Sequence, residues 1–184
     1  MKAGKNIYRL VLSAMFLALA LVLPFLTGQI KQLGNALCPM HLPVLLCGFF
    51  CGPWSGLAVG FIAPLLRFFL FGMPAPMPTG IAMCFELGTY GLISGLLYKN
   101  LPKKRIYVYV SLAAAMIAGR IFWATAIFVL FCIGKTAFNV SIIIYSAFID
   151  AIPGIILQIV LVPVLVMVLK KYTYGYYYHC FNKP

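Results

Sequence analysis

Long apolar runs broken by short polar or proline-rich stretches dominate the chain, and the lengths of those runs set the first expectation. The runs are continuous and lack the period-two alternation of barrel strands, so they predict helices. Runs approaching the ~20 residues needed to cross a hydrocarbon core predict membrane spans. On this pattern spans are expected at about 8–26, 40–51, 55–71, 79–98, 108–132 and 141–169. "TGQ" follows the first span, "CPMHLP" precedes the second, "GPW" divides the second from the third, and "GMPAPMPTG" forms a stiff, non-helical break before the fourth. The N-terminal apolar run is too long for the core of a signal peptide and no small-residue cleavage site follows it, so it is read as a retained first span. The expectation is a single all-α membrane domain over residues 1–184 with six transmembrane helices.

Composition agrees with that reading. Hydrophobic residues make up 64% of the chain and charged residues 9%, against about 45–50% and about 25% in soluble domains. The formal charge of +12 would suggest nucleic acid in a soluble protein, but in a membrane protein basic residues gather in cytoplasmic loops. Lys2, Lys5 and Arg9 precede the first span, "KNLPKKR" separates the fourth from the fifth, and Lys170 and Lys171 close the sixth. The opposite loops hold only Lys31 and Lys135. Both termini are therefore expected in the cytoplasm, and no nucleic-acid partner is expected. The basic, tyrosine-rich tail "KKYTYGYYYHCFNKP" suits an interfacial anchor beside anionic lipid.

Four charged residues fall inside spans: Arg67, Glu86, Arg120 and Asp150, which include both acids of the chain. Charge at that depth is costly, turns towards the bundle interior and marks functional sites by default. From helix rise, Arg67 lies roughly 6–8 Å from the outer end of its span, Glu86 and Asp150 each about 10–14 Å below theirs, and Arg120 nearer the middle. Two readings remain open. In one, internal ion pairs such as Glu86 with Arg120 and Asp150 with either arginine explain all four. In the other, one arginine stays available to a ligand, and Arg67, closest to the outer mouth, offers a rigid bidentate grip on a carboxylate or phosphate. On the same side stand Gln29, Lys31, Gln32 and Asn35, with Thr79, Tyr90 and Asn139, and Trp123 and Phe85 supply apolar walls. His41 suits either an interfacial histidine or a ligand contact, and Gln158 suits a helix-to-helix hydrogen bond.

Small residues recur at four-residue spacing: Gly48, Gly52, Gly56 and Gly60, then Gly91 and Gly95, and Ala14 with Ala18 in the first span. Such faces let helices approach closely, and the spacing fits internal packing as well as docking of another membrane subunit. The six cysteines show neither CxxC nor zinc spacing, so they are read as small apolar residues and no metal is expected. No phosphate-binding GxxxxGK[ST], HExxH or GxSxG motif occurs, which argues against an enzyme and against ATP hydrolysis by this chain.

The stretch "LGNALCPMHLPVLLCGFFCGPWSGLAVGFIAPLLRFFLFGMPAPMPTGIAMCFELGTYGLISGLLYK", with "AAMIAGRIFWA" and "AIPGIILQIVLVPVLV", resembles the substrate-binding S components of energy-coupling factor vitamin transporters. The resemblance runs from the first span to Lys171. It implies a six-helix subunit of an ABC-type importer in the bacterial cytoplasmic membrane that captures a water-soluble vitamin with high affinity on its outer side. It also implies partners: a transmembrane T subunit, contacted through an alanine-x-x-x-alanine motif that Ala14 and Ala18 match, and two cytoplasmic ATPases. No cofactor would belong to this chain, ATP being used by those partners. The first outer loop, "TGQIKQLGNALCPM", occupies the position of the family's lid. The expected substrate-binding residues are Arg67, Lys31, Gln32, Asn35, His41, Thr79, Glu86, Arg120, Trp123 and Asp150. Pantothenate suits Arg67 and Lys31. The alternatives are pyridoxine or another vitamin, or a self-sufficient transporter driven by protons through Glu86 or Asp150.

Overall fold

The computed structural model describes residues 2–26, 39–72, 76–102, 104–134 and 152–181. These form six α-helices: α1 (Lys2–Leu26), α2 (His41–Cys51), α3 (Pro53–Phe71), α4 (Ile81–Asn100), α5 (Arg105–Gly134) and α6 (Ile152–Phe181). A wide five-residue turn, Pro76–Gly80, leads into α4, with Met77 in extended backbone. There is no strand among the described residues. Most helix ends fall within a few residues of the hydropathy boundaries, but α1 begins six residues before the expected start at 8 and α6 runs twelve residues past the expected end at 169, while its start is described only from Ile152, residues 135–151 lying outside the described residues.

Five of the helices are long and apolar enough to cross a membrane. The exception is α2, whose 11 residues cover only about 16 Å at the α-helical rise, roughly half the hydrocarbon thickness. The six expected spans are thus five full-length helices and one short one. Its end is abrupt for a local reason. Gly52 takes φ 100° and ψ 174°, a conformation open to glycine at little cost, and Pro53 then occupies the first position of α3, where its missing N–H matters least. Gly72, at φ 68°, closes α3 in the left-handed form and donates its N–H to the Phe68 carbonyl at 2.8 Å.

Helix α4 stands at the centre, against α2, α3 and α5. Glycines bring it there. A Cβ built on Gly56 would stand 2.5 Å from the Gly91 carbonyl oxygen, one on Gly91 closer still to that of Gly56, and one on Gly48 2.5 Å from the Gly91 oxygen. Gly60 meets the Leu87 backbone in the same way. The four-residue spacing is therefore spent on internal packing in α2, α3 and α4, where backbones touch without side chains between them. Around this seam lies the main core, with Phe16 and Ala20 from α1, Leu45 from α2, Leu87 from α4, Leu112 from α5 and Val162 from α6.

The outward surface is apolar as well. Leu10, Ile62, Ile117 and Val160 are exposed, and Phe69 keeps 78% of its surface open, which suits a solvent of lipid tails. Cys47, Cys51 and Cys84 are free and buried, and Cys132 is exposed. No group of three or more His, Cys, Asp or Glu side chains poised for a metal occurs among the described residues.

The glycine seam yields a graded expectation. In Gly91→Ala the new methyl meets rigid backbone, which should cost about 1–3 kcal/mol or more. In Gly88→Ala it meets the movable Leu57 Cδ1 at 3.3 Å and should cost clearly less. Thermal unfolding of both variants in detergent measures the difference, and equal melting temperatures would contradict the seam.

Candidate functional site

Glu86 projects from α4 into the interior and is 2% exposed. Three side chains converge on its Oε1. The Tyr90 hydroxyl, one turn along α4, donates to it at 3.0 Å. Arg120 Nη1 from α5 lies 3.3 Å away and His41 Nε2 from the first turn of α2 lies 3.5 Å away. The His41 and Tyr90 rings stack obliquely with centroids 5.2 Å apart. Three helices are thus joined at one carboxylate oxygen.

Local sequence explains why these groups meet. Glu86 and Tyr90 share an α4 face at i, i+4. Gly119 on α5 makes room for the Tyr90 ring, since a Cβ there would collide with Tyr90 Cδ1 and Cε1. The same close approach sets the next α5 residue, Arg120, beside Glu86. His41 opens α2 and is 3% exposed. The expected Glu86–Arg120 pair is therefore present, and His41 joins it as a buried group rather than an interfacial one.

Arg67 stands apart from this cluster. Gly56 faces Gly91 and Gly60 faces Leu87, so the antiparallel register of α3 and α4 carries Arg67 to the level of Gly80, about 9 Å of helix rise from Glu86. The side chain is half-buried. Its Nη1 is fully buried without a hydrogen-bond partner among the described residues. The Pro76–Gly80 turn packs on α3, α4 and α5 at this end, with Thr79 exposed on it. Trp123 is buried beside Ala82 and Ile127 in a small separate cluster between α4 and α5, one helical turn beyond Arg120. Phe85, in contrast, packs edge-on against Phe61 with centroids 5.5 Å apart and is exposed, so it lines the outside of the bundle and not a wall of the site.

The structure therefore brings Glu86, Arg120 and His41 together and leaves Arg67, Thr79 and Trp123 at the neighbouring end. Lys31, Gln32, Asn35 and Asp150 lie outside the described residues. Two contributors carried weaker signals. Tyr90 was legible only as a deep polar residue, although its spacing from Glu86 foretells the contact. Gln158 on α6 is 3% exposed, with its Oε1 unbonded among the described residues. Neither ring nitrogen of His41 makes a hydrogen bond of good geometry there either.

On α1 the two alanines behave unlike the glycines. Ala14 and Ala18 are exposed, while Ser13, Phe16 and Ala20 face the core. Internal packing does not use the alanine pair.

A buried carboxylate is held by its partners, so removing one charge leaves the other stranded. Glu86→Gln should lower stability by about 3–5 kcal/mol, and Tyr90→Phe by about 1.5–3 kcal/mol. In a double-mutant cycle read by thermal unfolding, Glu86→Gln with Arg120→Gln should cost less than the sum of the single changes. Strict additivity would show that the pair is not coupled.

No curated protein and no solved structure matches the chain. The family model for the ECF transporter, substrate-specific component, matches residues 8–166, a range that takes in α2 to α5 whole, most of α1 and α6 as far as Val166. On that match, and with its apolar helices around a buried polar cluster, the chain belongs to the substrate-specific components of ECF transporters.

Proposed function

We propose that the chain captures a small anionic vitamin at the outer end of the bundle, with Arg67 as the group that grips it. The observation that carries this reading is the buried Nη1 of Arg67, unbonded among the described residues. A guanidinium donor out of water and without an acceptor is unfavourable, and a ligand carboxylate would satisfy it in the bidentate geometry arginine favours. Glu86, one layer deeper, already has Arg120, His41 and Tyr90 around Oε1, so it anchors the helices and leaves the outer arginine to the solute. That division also disfavours a proton-driven transporter working through Glu86. Among vitamins, pantothenate fits because it pairs a carboxylate with hydroxyl and amide groups. Lys31, Gln32, Asn35 and Asp150 are further candidates for contacts with it, and Thr79 and Trp123 would border the mouth.

In this reading the chain performs no chemistry and works as the binding subunit of an importer in the bacterial cell membrane, with both termini in the cytoplasm. The basic residues at one set of loops support that orientation. A transmembrane T subunit and two ATPases would supply the driving force. The exposed Ala14 and Ala18 offer the small-residue face on which the T subunit docks.

A thermal-stability screen of the purified protein against water-soluble vitamins tests the proposal. A ligand present at about 1,000 times its dissociation constant adds roughly 4 kcal/mol, so pantothenate should raise the melting temperature by several degrees. Arg67→Gln should remove that rise while leaving the ligand-free melting temperature within a degree or two. Stabilisation by pyridoxine instead, unaffected by Arg67→Gln, would replace the anionic reading with a neutral one. A panel without any stabilising vitamin would overturn both.

A further inference from the structure

A groove of about 770 Å³ opens at the end of the bundle opposite Arg67, between the first half of α1, the α2–α3 corner and the last turns of α4. That volume lies within the ~300–1,000 Å³ range of small-molecule sites. Its two ends differ in chemistry. At the helix ends it is lined by Arg9 and Lys99 with Asn6, and further in by Leu17, Val59 and Ile62. Arg9 and Leu17 are eight residues apart on α1, so about 12 Å of helix separates the cationic end from the apolar one. Arg9 and Lys99 are exposed, and no acidic residue among the described residues lines the groove. Trp54, at the start of α3, lines the same rim and keeps 77% of its surface open, as indoles do at the level of lipid headgroups.

This polarity is that of a phospholipid standing in a bilayer: anionic at the surface, apolar beneath. We infer that the groove holds one anionic phospholipid, its phosphate between Arg9 and Lys99 and an acyl chain along Leu17, Val59 and Ile62. Charge complementarity selects the headgroup, because two cations without a neighbouring carboxylate favour a net negative lipid over a zwitterionic one. The apolar depth selects a lipid over a free phosphate, which would leave Leu17 and Ile62 uncovered. Asn6 and Ser55 on the rim supply hydrogen-bonding groups for the glycerol or headgroup. Ala14 also lines the groove, so the lipid would border the face proposed for docking and leave it when a protein partner arrives.

The test is a lipid titration of the full-length protein in detergent, read by native mass spectrometry, with phosphatidylglycerol, phosphatidylcholine and inorganic phosphate as separate probes. One phosphatidylglycerol should bind in preference to phosphatidylcholine, and inorganic phosphate should not displace it. At about fivefold per cation near a membrane surface, R9Q/K99Q should weaken phosphatidylglycerol binding on the order of 25-fold. K104Q/R105Q, at exposed basic residues that do not line the groove, should leave it unchanged. Equal binding of the two lipids, equal loss in both double variants, or displacement by phosphate would overturn the inference. A phosphatidylglycerol with a photoreactive acyl chain gives a check independent of any variant. Labelling should fall on α1 and α3 near Leu17 and Ile62, and labelling confined to other helices would leave the groove to a protein partner.

Discussion

Burial of a single carboxylate constrains this bundle more than any other contact. Glu86 is fully enclosed, and an ionised acid in that setting persists only with paired charge and hydrogen bonds around it. Its partners come from α2, α4 and α5, so satisfying it fixes the relative depth of three helices at once. A slide of α5 by one turn would carry Arg120 away and strand both charges. Apolar packing alone tolerates such slides better, because lipid and helix surface are chemically alike.

The glycine seam makes that cluster reachable. Where Gly48, Gly56 and Gly91 meet backbone to backbone, α2 and α4 come close enough for His41 to reach Glu86, and Gly119 makes the same room for the Tyr90 ring. The two devices depend on one another. Close approach without the ion pair would leave register loosely specified, and the ion pair without close approach would leave its members apart.

The two ends of the bundle then divide the labour. One end carries an arginine with a donor unsatisfied among the described residues, above the Glu86–Arg120 layer, and the other a cationic groove that becomes apolar with depth. On the proposed reading, binding of a solute and contact with the surrounding membrane or a partner fall on opposite sides of the Glu86 layer. The alanine pair on α1, unlike the buried glycines, is exposed among the described residues.

Hydropathy and helix-breaking residues by themselves determined the helical class, the approximate bounds of α1 to α5 and the places of Arg67, Glu86 and Arg120 along their helices. These are one-dimensional properties, set by run length against bilayer thickness and by the rise per residue. The shortness of α2 was visible in the short run expected at 40–51, though counting it as a span required assuming what a helix of that length does. Sequence also made the Glu86–Arg120 pair legible, since an isolated buried acid demands a cation. Which face each residue occupied was decided only by the tertiary structure. Ala14 and Ala18 share the spacing of Gly56 and Gly60 yet point outwards, Phe85 turns away from its neighbour Glu86, and His41 lies within the polar cluster. Such choices depend on the rotation and register of one helix against another, which are fixed by contacts between residues far apart in the chain and leave no periodic trace within either helix.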